Sequence, residues 1–91
     1  MSFEWDPGKA EANFRKHGVG FGEAEPVFVD DFAVTITNDA SDPLEQRFVS
    51  IGKGVKERVL VVVYCFRGRN IRIISARLAN KHERAEYEAG Q

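Results

Sequence analysis

The sequence predicts an α+β domain, with N-terminal helices, then a four-stranded antiparallel meander sheet, then a C-terminal helix. Three observations predict it. Helix signals bounded by Pro7, Gly18 and Asp30 come first, β-branched and alternating runs separated by turns follow, and Asn80–Glu83 carries a capping-box pattern. With 91 residues, the chain suits one domain and is too short for a second core, so residues 1–91 read as a single unit.

Phe3-Glu4-Trp5 reads as a short strand with both aromatics on one face. Asp6-Pro7 is an N-cap followed by proline at the first helical position, where its missing N–H costs nothing. The helix runs to His17 and stops at Gly18, a left-handed C-cap. Ala10, Phe14 and His17 share one face of it, and Lys9, Asn13 and Lys16 an adjoining one. A second helix is expected from Phe21 to about Phe28, distorted or shortened by Pro26. Strands follow at Ala33–Thr37 and Arg47–Ile51, with a polar loop from Asn38 to Leu44 between them. Gly52-Lys53-Gly54 turns the chain into Arg58–Arg67, the most apolar stretch and the expected centre of the sheet, with Cys65 structural within it. Gly68-Arg69 makes a tight turn into Asn70–Arg77, and a last helix starts after Asn80 and ends near Gly90.

With 43% hydrophobic and 30% charged residues, the chain is globular rather than disordered. Its longest apolar run, Val59–Phe66, is far below the ~20 residues that span a bilayer, and Met1–Asp6 carries no secretory pattern. The expected location is cytoplasmic, with no membrane contact. One cysteine excludes an internal disulfide, and two isolated histidines give no metal-ligand spacing, so no metal and no cofactor are expected. No glycine-rich phosphate loop follows a strand, and no serine sits on a nucleophile elbow.

The net charge of −1 conceals a division. Residues 1–45 hold three Lys/Arg against ten Asp/Glu, a net −7, while residues 46–91 hold ten against four, a net +6. Arg67 and Arg69 flank the last hairpin turn, Arg77 ends the last strand, and Lys81 and Arg84 open the last helix. Arginine offers planar, permanently charged donors that match phosphate oxygens. Arg84, Tyr87 and Glu88 share a helix face by i, i+3, i+4 spacing. The plain alternative is an Arg84–Glu88 helix ion pair, with Tyr87 packing on the sheet. His17, beside a C-cap glycine, equally suits a structural role at the helix dipole.

These residues together resemble the BrnT-type toxins. The resemblance rests on Phe3-Glu4-Trp5-Asp6, Lys9, Asn13, Lys16-His17-Gly18-Val19, Phe21, Glu23-Ala24 and Val27-Phe28 at the start. In the middle it rests on the Arg58-led apolar strand to Val63-Tyr64, and at the end on Arg72–Arg77, Ala79, Glu83-Arg84 and Tyr87-Glu88. It covers nearly the whole chain and implies a RelE-like fold and a ribonuclease toxin of a type II toxin–antitoxin pair. Its implied partner is a BrnA-like antitoxin, a DNA-binding protein of ribbon-helix-helix type that masks the toxin and represses the shared operon. Operator DNA is then met only through that antitoxin.

RNA supplies its own nucleophile, the 2′-OH, so the protein need only orient it, take its proton and stabilise the phosphorane. On the resemblance, Arg77 and Arg84 clamp the scissile phosphate, with Arg67 a third candidate. His17 or Glu88 is the base, and Tyr87 or His82 the acid. Lys16, Arg67, Lys81 and His82 are the candidates for binding RNA, and the cleavage is metal-independent. The competing class is a non-catalytic binding module, or a corepressor subunit acting only through its partner.

Overall fold

The N-terminal strand is not a separate ornament but the edge of the main sheet. In the computed structural model, which describes residues 2–38 and 46–91, the order is β1 (Ser2–Glu4), α1 (Pro7–His17), a 3₁₀ segment (Gly22–Val29), β2 (Val34–Asn38), β3 (Arg47–Lys53), β4 (Val59–Arg67), β5 (Asn70–Leu78) and α2 (Lys81–Ala89). The sheet runs β1-β5-β4-β3-β2. β2 to β5 form the expected antiparallel meander, but β1 adds a fifth strand, parallel to β5, pairing Ser2–Glu4 with Asn70–Arg72. The four-stranded, RelE-like arrangement is therefore not matched in detail, and the sheet is mixed. Glu4 ties the added edge down, accepting from Asn70 Nδ2 at 3.0 Å and Arg72 at 3.3 Å. From residue 39, the loop read at Asn38–Leu44 lies outside the described residues.

β4 lies at the centre, as its apolar run requires. Alternation along it feeds two cores. Leu60, Val62 and Tyr64 face the side covered by α1 and the 3₁₀ segment, with Val19, Phe21, Ala24, Val27, Ile73 and Ala76. Val61 faces the other side, where Ile51, Ala79 and Tyr87 of α2 close over it. Cys65 is buried. On the first of these sides Tyr64 stacks on Phe48 and meets Phe28 edge-on, and its hydroxyl pairs with Ser50 at 2.8 Å.

α1 starts where expected. Asp6 accepts from the amides of Gly8 and Lys9 at 2.8 and 3.1 Å, and Gly18 ends the helix at φ 69°. Its buried residue, however, is Asn13, while Phe14 is 57% exposed. The second helix is 3₁₀ rather than α. Pro26 has no N–H to give an i−4 carbonyl, and the tighter coil lets Ala24 and Val27 reach the sheet while keeping the segment short. Gly54 accepts this close packing. A Cβ there would stand 2.4 Å from the Glu23 carbonyl oxygen.

β5 carries one irregularity that matters later. Val63 pairs with Ser75 and Tyr64 with Ile73, so Ile74 is the extra residue of a bulge. Because β1 is only three residues long, the β5 edge beyond Arg72 has no strand partner. Asn13 replaces it. Its Nδ2 donates to Ala76 O at 2.8 Å and to Val19 O at 2.9 Å, and Ala76 N donates to its Oδ1 at 3.1 Å. One buried amide thus extends the ladder and fixes α1 to the sheet.

Candidate functional site

α2 is fixed to its face of the sheet by charged contacts at both ends. At its start, Arg77 of β5 donates twice to Glu83, at 2.7 and 2.8 Å. The same carboxylate completes the capping box, accepting from Asn80 N at 2.9 Å, while Asn80 Oδ1 accepts from Glu83 N at 2.8 Å. The Arg77 guanidinium, helped by that amide, holds the Glu83 carboxyl at about 2, against an ordinary 4.5. Near its end, Tyr87 is 2% exposed and donates its hydroxyl to Asp30 Oδ2 at 2.6 Å. Burial, and then the Asp30 carboxylate, push this phenol up to about 12. Asp30 also accepts from the amides of Lys53 at 2.9 Å and Phe32 at 3.0 Å.

Between α2 and the turn joining β3 to β4 lies a groove of about 440 Å³. Lys53, Glu57, Arg58, Arg84 and Glu88 line it, with Val59 and Leu78 among the apolar walls. Glu57 is held at φ 60°, the one positive-φ residue other than glycine among the described residues, a backbone state that costs of order 1 kcal/mol. Arg58 is committed to structure. Its Nε and Nη2 donate to Glu23 at 2.8 and 2.6 Å, and Nη2 also reaches Gly18 O at 3.2 Å. Hydrogen bonding to Glu23 raises its pKa further. Arg84 differs. Neither it nor Glu88 has a side-chain partner among the described residues, and the helix ion pair between them does not form.

A second, shallower groove of about 260 Å³ runs between α1 and the free edge of β5. Lys9, Lys16 and His17 line it from the helix, and the bulge residues Ile74 and Ser75 from the strand, with Asn13 at its base. Arg58 links the two grooves, since it lines the first and bonds the carbonyl of the residue after His17.

The residues expected at the site are therefore divided. Arg84 and Glu88 share the first groove, and Lys16 and His17 the second. Tyr87 points inward to Asp30 rather than along the face of Arg84 and Glu88, because the helix needs one large side chain to anchor it on Ile51 and Val61. Its hydroxyl is engaged by Asp30, and the residue lines neither groove. Arg77 is held by Glu83 and by the Leu78 carbonyl at 3.3 Å. Lys81 and His82 are exposed on the first turn of α2, His82 standing 3.9 Å from Glu86, and neither lines a groove. Arg67 is exposed at the far end of β4, by the Gly68 turn. Sequence reasoning did not assign roles to Asp30, Lys53 or Glu57. Their signal, acids and a lysine in turns, is indistinguishable from an ordinary solvated loop until the fold folds them under α2. Among the described residues, no group of three or more His, Cys, Asp or Glu side chains could hold a metal ion, and no helix is long and apolar enough to cross a membrane.

Comparison with known proteins gives a consistent result. The family model described as the ribonuclease toxin BrnT of type II toxin–antitoxin systems matches residues 5–83. The crystal structure of the Brucella abortus ribonuclease toxin BrnT is similar in fold, with a TM-score of 0.73 and 25% sequence identity, covering 89% of this chain and 99% of that one. No curated protein matches the sequence at a significant level.

Proposed function

Because the chain belongs to the BrnT family of type II ribonuclease toxins, we propose that it cleaves RNA without a metal ion, in the groove between α2 and the β3–β4 turn. The observation that carries this reading is Arg84, an arginine without a carboxylate partner among the described residues, set beside an equally unpaired Glu88. Arg58 and Arg77 are already neutralised by Glu23 and Glu83. Arg84 retains its full charge for a phosphate.

The RNA 2′-oxygen attacks the adjacent phosphorus while Glu88 accepts its proton. The P–O5′ bond then breaks, the leaving 5′-oxygen takes a proton from water, and a 2′,3′-cyclic phosphate remains. Arg84, with Lys53 beside it, stabilises the added charge of the phosphorane. Arg77 acts at one remove, by holding Glu83 and with it the helix that presents Arg84. His17 and Lys16 lie outside this centre. Cleavage of cellular RNA halts translation and growth in the cytoplasm. A DNA-binding, BrnA-like antitoxin of ribbon-helix-helix type neutralises the toxin and brings it to the operator.

The test is one oligonucleotide in two forms, all-RNA and with a single 2′-deoxy nucleotide at the cut site, each digested in EDTA. The expected result is a cyclic-phosphate product from the RNA alone, abolished by adding back the antitoxin. Cleavage of the deoxy form, or loss of all activity with chelator, would overturn the mechanism. Unimpaired bacterial growth on expression of soluble protein would overturn the toxin reading.

A further inference from the structure

The groove along α1 is a cationic surface that the proposed chemistry does not use. Lys9 and Lys16 stand on one helix face, two turns or about 10 Å apart, and His17 adjoins them. No acidic side chain lines this groove, whereas Glu57 and Glu88 line the other. The one acid on α1, Glu11, is paired with Arg15 away from it. The C-terminal end of a helix ordinarily repels anions. Here the C-cap carbonyl, Gly18 O, is bonded by Arg58, and the next carbonyl beyond the helix, Val19 O, by Asn13. The opposite wall is the β5 bulge, where one extra residue places both Ile74 and Ser75 at the groove. It supplies an apolar surface and a hydroxyl, and no negative charge.

We infer that this groove is a second phosphodiester subsite, in which Lys9, Lys16 and His17 hold the backbone of a single-stranded RNA whose scissile phosphate sits at Arg84. The inference rests on the proposed function above. It adds the path of the strand, from Arg84 past Arg58 and the end of α1 and then along Lys16 to Lys9. Lysines suit this role. They act as mobile point charges that track a backbone without reading its sequence, and the open groove admits a strand rather than enclosing a small anion.

The experiment measures binding of a short 2′-O-methyl RNA, which cannot be cut, over a range of salt. The proteins are the wild type, K9Q/K16Q, and K56Q as a control on an exposed turn outside both grooves. Glutamine has nearly the helix propensity of lysine, and both positions are exposed, so the fold is kept. Each phosphate contact contributes about 0.7 to the slope of log K against log salt for a single strand. The double variant should therefore lower the slope by about 1.4 and weaken binding at low salt at least tenfold, while K56Q matches the wild type. Equal slopes and affinities for all three proteins would overturn the subsite, even if natural RNA is cleaved. A lowered slope in K9Q/K16Q with no cleavage of natural RNA by the wild type would overturn the catalytic reading and leave the subsite standing. Failure of the wild type to bind would overturn both.

Discussion

The two sides of the sheet attach their helices by opposite means. On one side α1 is held by a neutral amide, Asn13, which bonds the β5 edge and Val19. On the other, α2 is held by charged groups, Arg77 on Glu83 and Tyr87 on Asp30. The difference determines which side chains remain free for a ligand. The neutral clamp leaves Lys9, Lys16 and His17 unspent along α1. The charged clamps consume Arg77 and bury Tyr87, and of the two arginines lining the α2 groove they leave Arg84 without a carboxylate partner among the described residues. An arginine count therefore overstates the site, and function is read from the charges that the fold has not neutralised.

The largest effect should come from breaking this contrast at Arg84. Arg84→Ala should lower RNA cleavage by about 10²–10³-fold, the cost of one preorganised donor, with thermal stability unchanged. Arg84→Lys should recover only part of it, since the planar fork is lost. Arg77→Ala should instead lower stability, by about 1–2 kcal/mol for a half-exposed bidentate pair. An Arg77 variant that loses cleavage while keeping its Tm would reverse the assignment of the two arginines.

Next in size is the neutral clamp. Asn13→Ala leaves the N–H and C=O of Ala76 and the carbonyl of Val19 without their partner. The expected loss is about 2–4 kcal/mol, or a fall in Tm of roughly 10 °C or more. Calorimetry would check it. An unchanged Tm would mean that water replaces the amide and that α1 is held by apolar packing alone.

How much of this was legible beforehand follows the range of each signal. Local signals were readable. Asp6-Pro7, Gly18, the Asn80–Glu83 box and the Gly68 turn each act within a few residues, and each stands where expected. The apolar run of β4 also named the centre of the sheet, because only a strand covered on both faces needs it. Partnerships across the chain were not readable. Nothing near Phe3 reveals that β1 pairs in parallel with a strand almost seventy residues away, and nothing near Tyr87 points to Asp30. Helical spacing put Arg84, Tyr87 and Glu88 on one face, but a face is about 100° wide. Within it the aromatic turns in and the charges turn out. The resemblance carried the family across these gaps, but it does not say which arginine is spent.

Tyr87→Phe removes the hydroxyl and keeps the ring on Ile51 and Val61. A hydrogen bond to a charged acceptor is worth about 1.5–3 kcal/mol, so a stability loss near the lower end is expected, with cleavage retained. Retained stability with lost cleavage would return Tyr87 to the chemistry, as the proton donor that its place in the sequence suggested.

The smallest effect is the dependence of the charged clamp on pH. Glu83 titrates at about 2 in the folded protein against an ordinary 4.5, because Arg77 holds its ionised form. A depressed carboxyl gives stability that is fully present above the ordinary value and is lost as pH falls from 4.5 towards 2. Glu4, Asp6 and Asp30 are also lowered and contribute to the same slope, so the readout must be a difference between proteins. Glu83→Gln supplies it. The amide keeps an oxygen for Asn80 N, so the capping box survives, while the ionisation is gone. Urea midpoints measured near pH 5 and near pH 3 should fall less for this variant than for the wild type. Asn13→Ala should fall by the wild-type amount, since the clamp it removes has no proton to gain. Equal pH slopes in all three proteins would show that α2, like α1, is held by neutral contacts, and would remove the reason Arg77 is unavailable to RNA.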